Sequence, residues 1–551
     1  ASGATAVVDT QGQALIIEGQ LGNGGVPSTV LSGEGVRQVI KAYQGEGSST
    51  IFRNLTIKFG FGTDGGGAYL KNSSPRFEQC WFVDNIATGN GGAAYLSFSG
   101  SEFIDCAFMG NHAYRGGAVM ATTESVPVFD DCNFGLASSA SSGNSADDAG
   151  GAIYLDSSED GNDCMITNCD FFSNYAATGG GAIRLYREDA ILTGCRFGLE
   201  GSPTTGNTTS TPVYAGGAIT ANDGSLQLTD CQFHHNLSHY GGGVWVNDCH
   251  ESLGHSVSIQ SCRFTNNDAV SGGGFYGYDS TIMIQDTDFD ANESTASNGA
   301  GGAIHVRSVQ DNAMLVELTM IGCTFTRNSA ENTGGALWTD VADVTMESCI
   351  FGDPDDASAG NSTPHGWGGA VRFYNVAGSS NPFSTICSAT IRGGGFYDNH
   401  AIGRGGAIYY YGMPLTIEPA DDGSPSVFRG NTTGAGTSDT AEEDRGGAIS
   451  IDDGSFAAEH DLGDGPILSV TGAIFENNST EDQWGGALYL HDVETEFSDC
   501  TFTSNNATIG GAIRCYRKTT TLTNCDFSGN VARVEADGEG SGFGGAISSH
   551  L

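Results

Sequence analysis

Along most of the chain apolar and polar residues alternate over short runs, and Gly, Asn or Asp cuts each run off. In Gly301-Gly302-Ala303-Ile304-His305-Val306 the alternation places Ile304 and Val306 on one face of a strand and His305 on the other. The period is two throughout, and helical periodicity is absent, so the pattern predicts an all-β protein. The runs also repeat. Sixteen copies of Gly-Gly followed by Ala or Gly and an apolar residue start at Gly65, Gly91, Gly116, Gly150, Gly180, Gly216, Gly241, Gly272, Gly301, Gly334, Gly368, Gly405, Gly446, Gly485, Gly510 and Gly544. Between copies lies Phe-x-x-Asn or a stretched version of it, with the closest Phe spacings at 25 to 27 residues, as from Phe82 to Phe108. A fixed internal period of this length decides the architecture before any local feature does.

One period reads as three short strands and three turns. From Gly91 a turn runs into Ala93-Ala94-Tyr95-Leu96, a second strand follows at Ser101–Asp105, and Cys106-Ala107-Phe108 leads to the turn at Asn111. Stacked at about 4.8 Å per coil, such units make a single-stranded parallel β-helix of about sixteen coils, three strands to a coil, over 28–551. Residues 1–27 lack the motif and read as strands of an irregular first coil. The paired Gly permits positive φ and close backbone approach at a corner. Phe fills a narrow core, and Asn turns inward to hydrogen-bond its own copies above and below. Polar insertions sit at turns, as at Gly135–Gly143, Gly198–Gly206, Gly352–Gly360, Asp156–Asp163 and Asp421–Ser426.

Eleven of the fifteen cysteines share one motif position: Cys80, Cys106, Cys132, Cys169, Cys195, Cys231, Cys262, Cys323, Cys349, Cys500 and Cys525. On adjacent coils their Cα atoms fall within disulfide range, so a buried ladder, some of it oxidised, is expected. No Cys-x-x-Cys occurs, and no metal site is predicted.

The outward position after each Gly-Gly-Ala is chemically biased. It holds Tyr69, Tyr95, Tyr154, Arg184, Trp245, Tyr276, His305, Trp338, Arg372, Tyr409, Tyr489 and Arg514, with Met120, Thr220, Ser450 and Ser548 between them. Twelve of sixteen are aromatic, His or Arg, so a longitudinal stripe of flat side chains is expected to bind a sugar or a partner surface. The competing reading is that these rings stack on one another and protect the sheet.

Charge narrows the partners. With 65 acidic residues against 22 basic ones and a net charge of −43, a nucleic-acid partner is excluded, because phosphate binding needs a basic face. No apolar run is long enough to span a membrane. Acidic loops such as Asp353-Pro354-Asp355-Asp356 offer oxygen ligands to Ca2+ but lack a ligand-spacing signature, and no cofactor is predicted. Asp-Asp pairs at 130–131, 147–148, 421–422 and 452–453 lie in scattered coils with different offsets, so no catalytic site is nominated. Among Asn-x-Ser/Thr sites, Asn54, Asn72 and Asn506 are the expected glycan acceptors, whereas Asn207, Asn236, Asn292, Asn361, Asn431 and Asn478 are also motif Asn and turn inward.

Gly-Gly-Ala-Ile alternating with Phe-x-x-Asn is the repeat pair of the polymorphic outer membrane proteins first described in chlamydiae, and from about Ser28 onward the chain resembles that family. The resemblance implies a right-handed parallel β-helix, secreted and displayed at a cell surface, often in adhesion. One departure is that no run of alternating strands for an outer-membrane barrel is visible, so the autotransporter route is not expected. The expected function is a non-enzymatic extracellular rod, structural or adhesive, whose open strand edges stack head-to-tail on copies of itself or meet surface glycans and proteins. The alternative is a carbohydrate-binding or polysaccharide-cleaving β-helix that uses the stripe.

Overall fold

The computed structural model describes residues 5–156, 163–210, 215–308, 315–375, 387–434, 444–452, 467–481, 483–533 and 543–550. The chain divides into two compact units, Ala1–Asp268 and Ala269–Leu551. Among the described residues both consist of parallel strands without an α-helix.

In the first unit a coil is well seen from Ala68. The strands Ala68–Lys71, Arg76–Glu78, Trp81–Val83 and Ile86–Ala87 follow one another around the axis. Each pairs in parallel with its copy in the next coil, as in Tyr69 with Tyr95, Phe77 with Phe103, Phe82 with Phe108 and Ile86 with His112. Most coils thus have four strands rather than the three expected. The fourth, after the motif Asn, is two residues long and too short to announce itself by alternation. Among the described residues nine strands occupy the first position in each unit, from Val8–Asp9 to Val244–Asn247 and from Phe275–Tyr278 to Ile547–His550, two more in all than the sixteen Gly-Gly motifs. The additional ones come from the motif-free start, where Val8–Asp9 pairs with Ile40–Ala42, and Ile16–Glu18 with Ile51–Arg53.

Corners are set by left-handed residues. Gln79, Asp105, Asp131, Asn168 and Asp230 have φ near +50° at one equivalent corner, a conformation that short polar side chains tolerate. At the Gly-Gly corner Gly91 has φ +62°, and a Cβ on Gly92 would stand 2.4 Å from the carbonyl of Gly117, so neither position admits a side chain.

Inside, identical residues stack. Phe108, Phe134 and Phe171 lie 4.6 and 4.7 Å apart, within 3° of parallel, and each fully buried Phe contributes roughly 1.5–3 kcal/mol. A second column, Phe77, Phe103 and Phe129, meets them edge-on, as in Phe103 against Phe108 at 64°. The motif Asn closes the adjacent corner. Asn144 donates from its backbone N and Nδ2 to Asn174 Oδ1 and from Nδ2 to Phe108 O, while its own Oδ1 accepts from Asn111 N and Nδ2. Such chains run from Asn85 to Asn267 and from Asn292 to Asn530. The six sequons at motif Asn are therefore buried in these ladders.

The disulfide expectation does not hold. All fifteen cysteines are unbridged. Cys106 Sγ donates to Phe77 O at 3.6 Å and Ile104 O at 3.4 Å, and Cys132 Sγ does the same to Phe103 O and Asp130 O. The sulfurs are thus directed at backbone groups, Cys169 Sγ also accepting from Cys132 N at 3.3 Å, and not at one another in bonding geometry.

The insertions leave the ladders intact. In an ordinary coil Asp84 N donates to Met109 O; at the three lengthened turns the donors Gly110, Ser173 and Arg327 find Ser142 O, Thr205 O and Ala359 O instead, each carried back by a short 3-10 turn. The acidic insertion at 156–163 lies largely outside the described residues, as does Asp453 of the 452–453 pair.

Candidate functional site: the covered stripe

The stripe exists in register. In the first unit Tyr69, Tyr95, Met120, Tyr154, Arg184, Thr220 and Trp245 are successive partners; in the second the row runs Tyr276, His305, Trp338, Arg372, Tyr409, Ser450, Tyr489, Arg514 and Ser548. These side chains point away from the Phe core, as alternation requires. The expectation that they are exposed fails for most of them. Tyr276 and Tyr489 keep 1% of their surface, His305 3%, and Trp245 and Tyr409 4%; Tyr69, Tyr95, Arg184, Trp338 and Arg514 are half-buried.

The cover is the segment ahead of each Gly-Gly. Its residues make a one-residue parallel ladder of their own, Ser271–Ala300–Thr333–Trp367 and Arg404–Arg445–Trp484–Ile509–Phe543 in the second unit, with Asn90–Arg115 and Ala149–Gly179 in the first. Contacts from this cover reach the stripe. Arg372 Nη1 donates to Thr333 Oγ1 at 2.8 Å, and its guanidinium lies 5.0, 4.7 and 5.4 Å from the rings of Trp367, Tyr374 and Tyr409. Arg445 donates to the Tyr489 hydroxyl at 2.9 Å and sits over Trp484 and Tyr489. Tyr154 packs with Met120 and Ala149, with Tyr95 and Tyr186 against them. Sequence reasoning missed Trp367 and Trp484 because residue type varies freely along the cover.

A second row was also missed. Two residues beyond the stripe, Tyr278, Tyr374, Tyr411, His491 and Tyr516 are half-buried and His550 is exposed; the same alternation that found the stripe locates them. Tyr374 and Tyr411 stack at 5.6 Å and 28°, His491 and Tyr516 at 5.0 Å and 13°, Tyr516 and His550 at 5.2 Å and 21°. Near-parallel rings in register turn their faces to one another and their edges to solvent. Tyr69 and Tyr95 do likewise at 5.6 Å and 19°.

Reactive pairings within the stripe are occupied. Ser271 Oγ and His305 Nδ1 stand 2.6 Å apart, a nucleophile–base distance, but both are buried, and the hydroxyl also has Ala300 O at 3.1 Å. Burial, with Arg307 nearby, holds His305 well below the ordinary imidazole pKa, so it stays neutral between the Tyr276 and Trp338 rings. Among the described residues no three His, Cys, Asp or Glu side chains converge in metal-ligating geometry. In the loop at 353–356, Asp353 and Asp356 accept from the amides of Asp355 and Ser358. Asp148 pairs with Arg115, and Asp422 accepts from Ser424 N. Asn72 is exposed at a left-handed corner, whereas Asn54 and Asn506 have a buried Oδ1.

Comparison with known proteins bears on the same repeats. A family described as "Right handed beta helix region" matches residues 137–317, and the "Chlamydia polymorphic membrane protein (Chlamydia_PMP) repeat" matches residues 322–340. The chain is also similar to the "Probable autotransporter YfaL" of Escherichia coli (strain K12), with 27% identity over 244 residues, 42% of this chain. The match spans 18% of that protein's length.

Proposed function

Starting from a right-handed β-helix of the polymorphic outer membrane protein type, we propose that the chain is the non-enzymatic, surface-displayed scaffold of a secreted protein, with a structural or adhesive role. The observation that carries this reading is the fate of the repeated polar residues. The Asn ladders are satisfied internally, the thiols face carbonyls, and the stripe is covered and self-stacked. A catalytic reading needs carboxylates or a nucleophile and base converging in an accessible cleft, whereas these repeats spend their chemistry on rigidity. A secreted scaffold that repeats one coil gains length at constant cost per coil and offers its turns and edges to partners. Purified protein incubated with pectin, alginate and carrageenan is expected to release no new reducing ends or unsaturated products. Release from any of them would replace the scaffold reading with the polysaccharide-cleaving one.

A further inference from the structure

Away from the stripe, four exposed apolar residues are aligned on the fourth-strand position of the first unit. The outward residues there form one in-register column: Phe61, Ile86, His112, Ser145, Tyr175, Thr208 and Leu237. Phe61 is 40% exposed, Ile86 43%, Tyr175 39% and Leu237 45%. The fold does not require this. At the same position the second unit carries Glu293, Ser329, Ser362, His400, Thr432, Ser479, Asn506 and Val531, of which Val531 alone is apolar. Both columns are backed by small residues, such as Ala87, Ala113 and Ala176 in the first unit and Ala330 and Ala401 in the second. Apolar side chains in the first unit are thus a property of its surface and not of its packing, and aligned exposed apolar side chains mark interaction sites.

We propose that this column binds an extended, uncharged polysaccharide of the β-1,4-linked type. The proposal rests on the surface-scaffold reading only for the setting in which such a glycan is met. Three features select this ligand. The ring-bearing residues Phe61, His112 and Tyr175 fall on every second coil, with Ile86 and Ser145 between them, so rings recur at about 10 Å, two coil spacings. That is close to the rise of one disaccharide in an extended β-1,4 chain, whose alternate sugars present the same face. Second, Tyr175 lies over the next coil, its hydroxyl donating to Ser210 Oγ at 2.9 Å, and the residue is 39% exposed where Tyr276 and Tyr489 of the stripe keep 1%. Hydroxyls and imidazole are interleaved, with His112 Nδ1 3.0 Å from Ser145 Oγ, giving the mixture of apolar platform and polar partners that sugars require. Third, Asp147 lies 3.5 Å from the His112 ring of the column in a chain of net charge −43, and this field disfavours uronates and sulfated glycans.

Affinity electrophoresis in gels containing hydroxyethyl cellulose tests the assignment, with polygalacturonate gels as the acidic counterpart. The wild-type chain is expected to be retarded by hydroxyethyl cellulose, unaffected by added salt, and not by polygalacturonate. Phe61→Ala and Tyr175→Ala should each weaken retention by about tenfold, the loss of one stacking contact of about 1.4 kcal/mol. Tyr175→Leu, which keeps apolar bulk, should lose most of the effect as well. Phe98→Ala, at an exposed corner off the column, should leave retention unchanged, and melting curves check that each variant is folded. No retardation of the wild type, equal retardation of the Phe61→Ala/Tyr175→Ala double variant, or equal retention in polygalacturonate would overturn the proposal. None of these results produces glycan cleavage, so the scaffold reading fails or stands separately.

Discussion

Asn144 and Asn174 are locked amide to amide: Nδ2 of the first donates to Oδ1 of the second at 3.0 Å, and the backbone N of Asn144 donates to the same oxygen at 2.9 Å. Both side chains are fully buried, and Asn144 Oδ1 serves the preceding Asn111 in the same way. Each link therefore satisfies the one before it.

Removing one link should cost more than one hydrogen bond. Asn144→Ala leaves the backbone N–H and one Nδ2–H of Asn111 without their acceptor in a dry corner. At about 1–3 kcal/mol per orphaned buried group, a loss of roughly 3–5 kcal/mol in urea unfolding is expected. Asn72→Gly, at an exposed left-handed corner that glycine also accepts, should change stability by no more than about 0.5 kcal/mol.

Glu46 ties the motif-free start to the coils that follow. Its buried carboxylate accepts from Gly12 N and Gln44 N at 2.8 Å, from Ser73 Oγ at 2.6 Å and from Thr10 Oγ1. Burial alone would raise its pKa, but the bonds from Ser73, Thr10 and the two amides hold it at about 2 instead of 4.5. A depressed folded-state value means that the stabilisation is complete above the unfolded pKa and is lost as pH falls towards 2. Melting temperature should drop across that window in the wild type. In Glu46→Gln it should already be lower at neutral pH and should fall less between pH 4.5 and 2.

Arg372 occupies an aromatic cage built by Trp367, Tyr374 and Tyr409. Arg372→Met keeps the length of the side chain and removes the cation. A desolvated cation–π contact contributes about 2 kcal/mol, so a loss of that order is expected, together with an altered tryptophan emission spectrum. Arg187→Met, whose exposed guanidinium lies 4.9 Å from one ring, Tyr186, should stay within about 0.5 kcal/mol of wild type.

The thiols should be inert while the chain is folded. Fourteen of the fifteen are buried and Cys525 is partly exposed, and burial first of all pushes Cys80, Cys106 and Cys132 well above the ordinary thiol pKa. Ellman's reagent is expected to label about one thiol quickly and all fifteen after denaturation without reductant. A denatured count lower by an even number would reveal disulfides.

What the sequence made legible was whatever repeats. Phe108 and Phe134, Asn111 and Asn144, and the register of Tyr276 with His305 all follow from aligning copies, since stacked coils place equal positions together. The cover was not legible, because Arg115, Gly179, Trp367 and Ile509 share a place without sharing a chemistry. Ile86–Ala87 and its copies were hidden for another reason: two residues cannot show an alternation, so the exposed column they carry emerges only with the fold. The cysteines mark the difference between spacing and geometry, for the coil distance permits a disulfide while Cys106 and Cys132 turn their sulfurs to carbonyls. Outward was equated with exposed at Tyr489, and the chain segment that crosses above it breaks that equation.

The central claim, that the stripe is a covered packing spine and not a ligand track, is tested most directly by the unfolding free energy of Tyr489→Ala. Tyr489 is 1% exposed, receives the Arg445 hydrogen bond and lies against Trp484. A loss of about 3–5 kcal/mol is expected for a large ring deleted from a packed site. A change within about 0.5 kcal/mol, the mark of an exposed side chain, would contradict it.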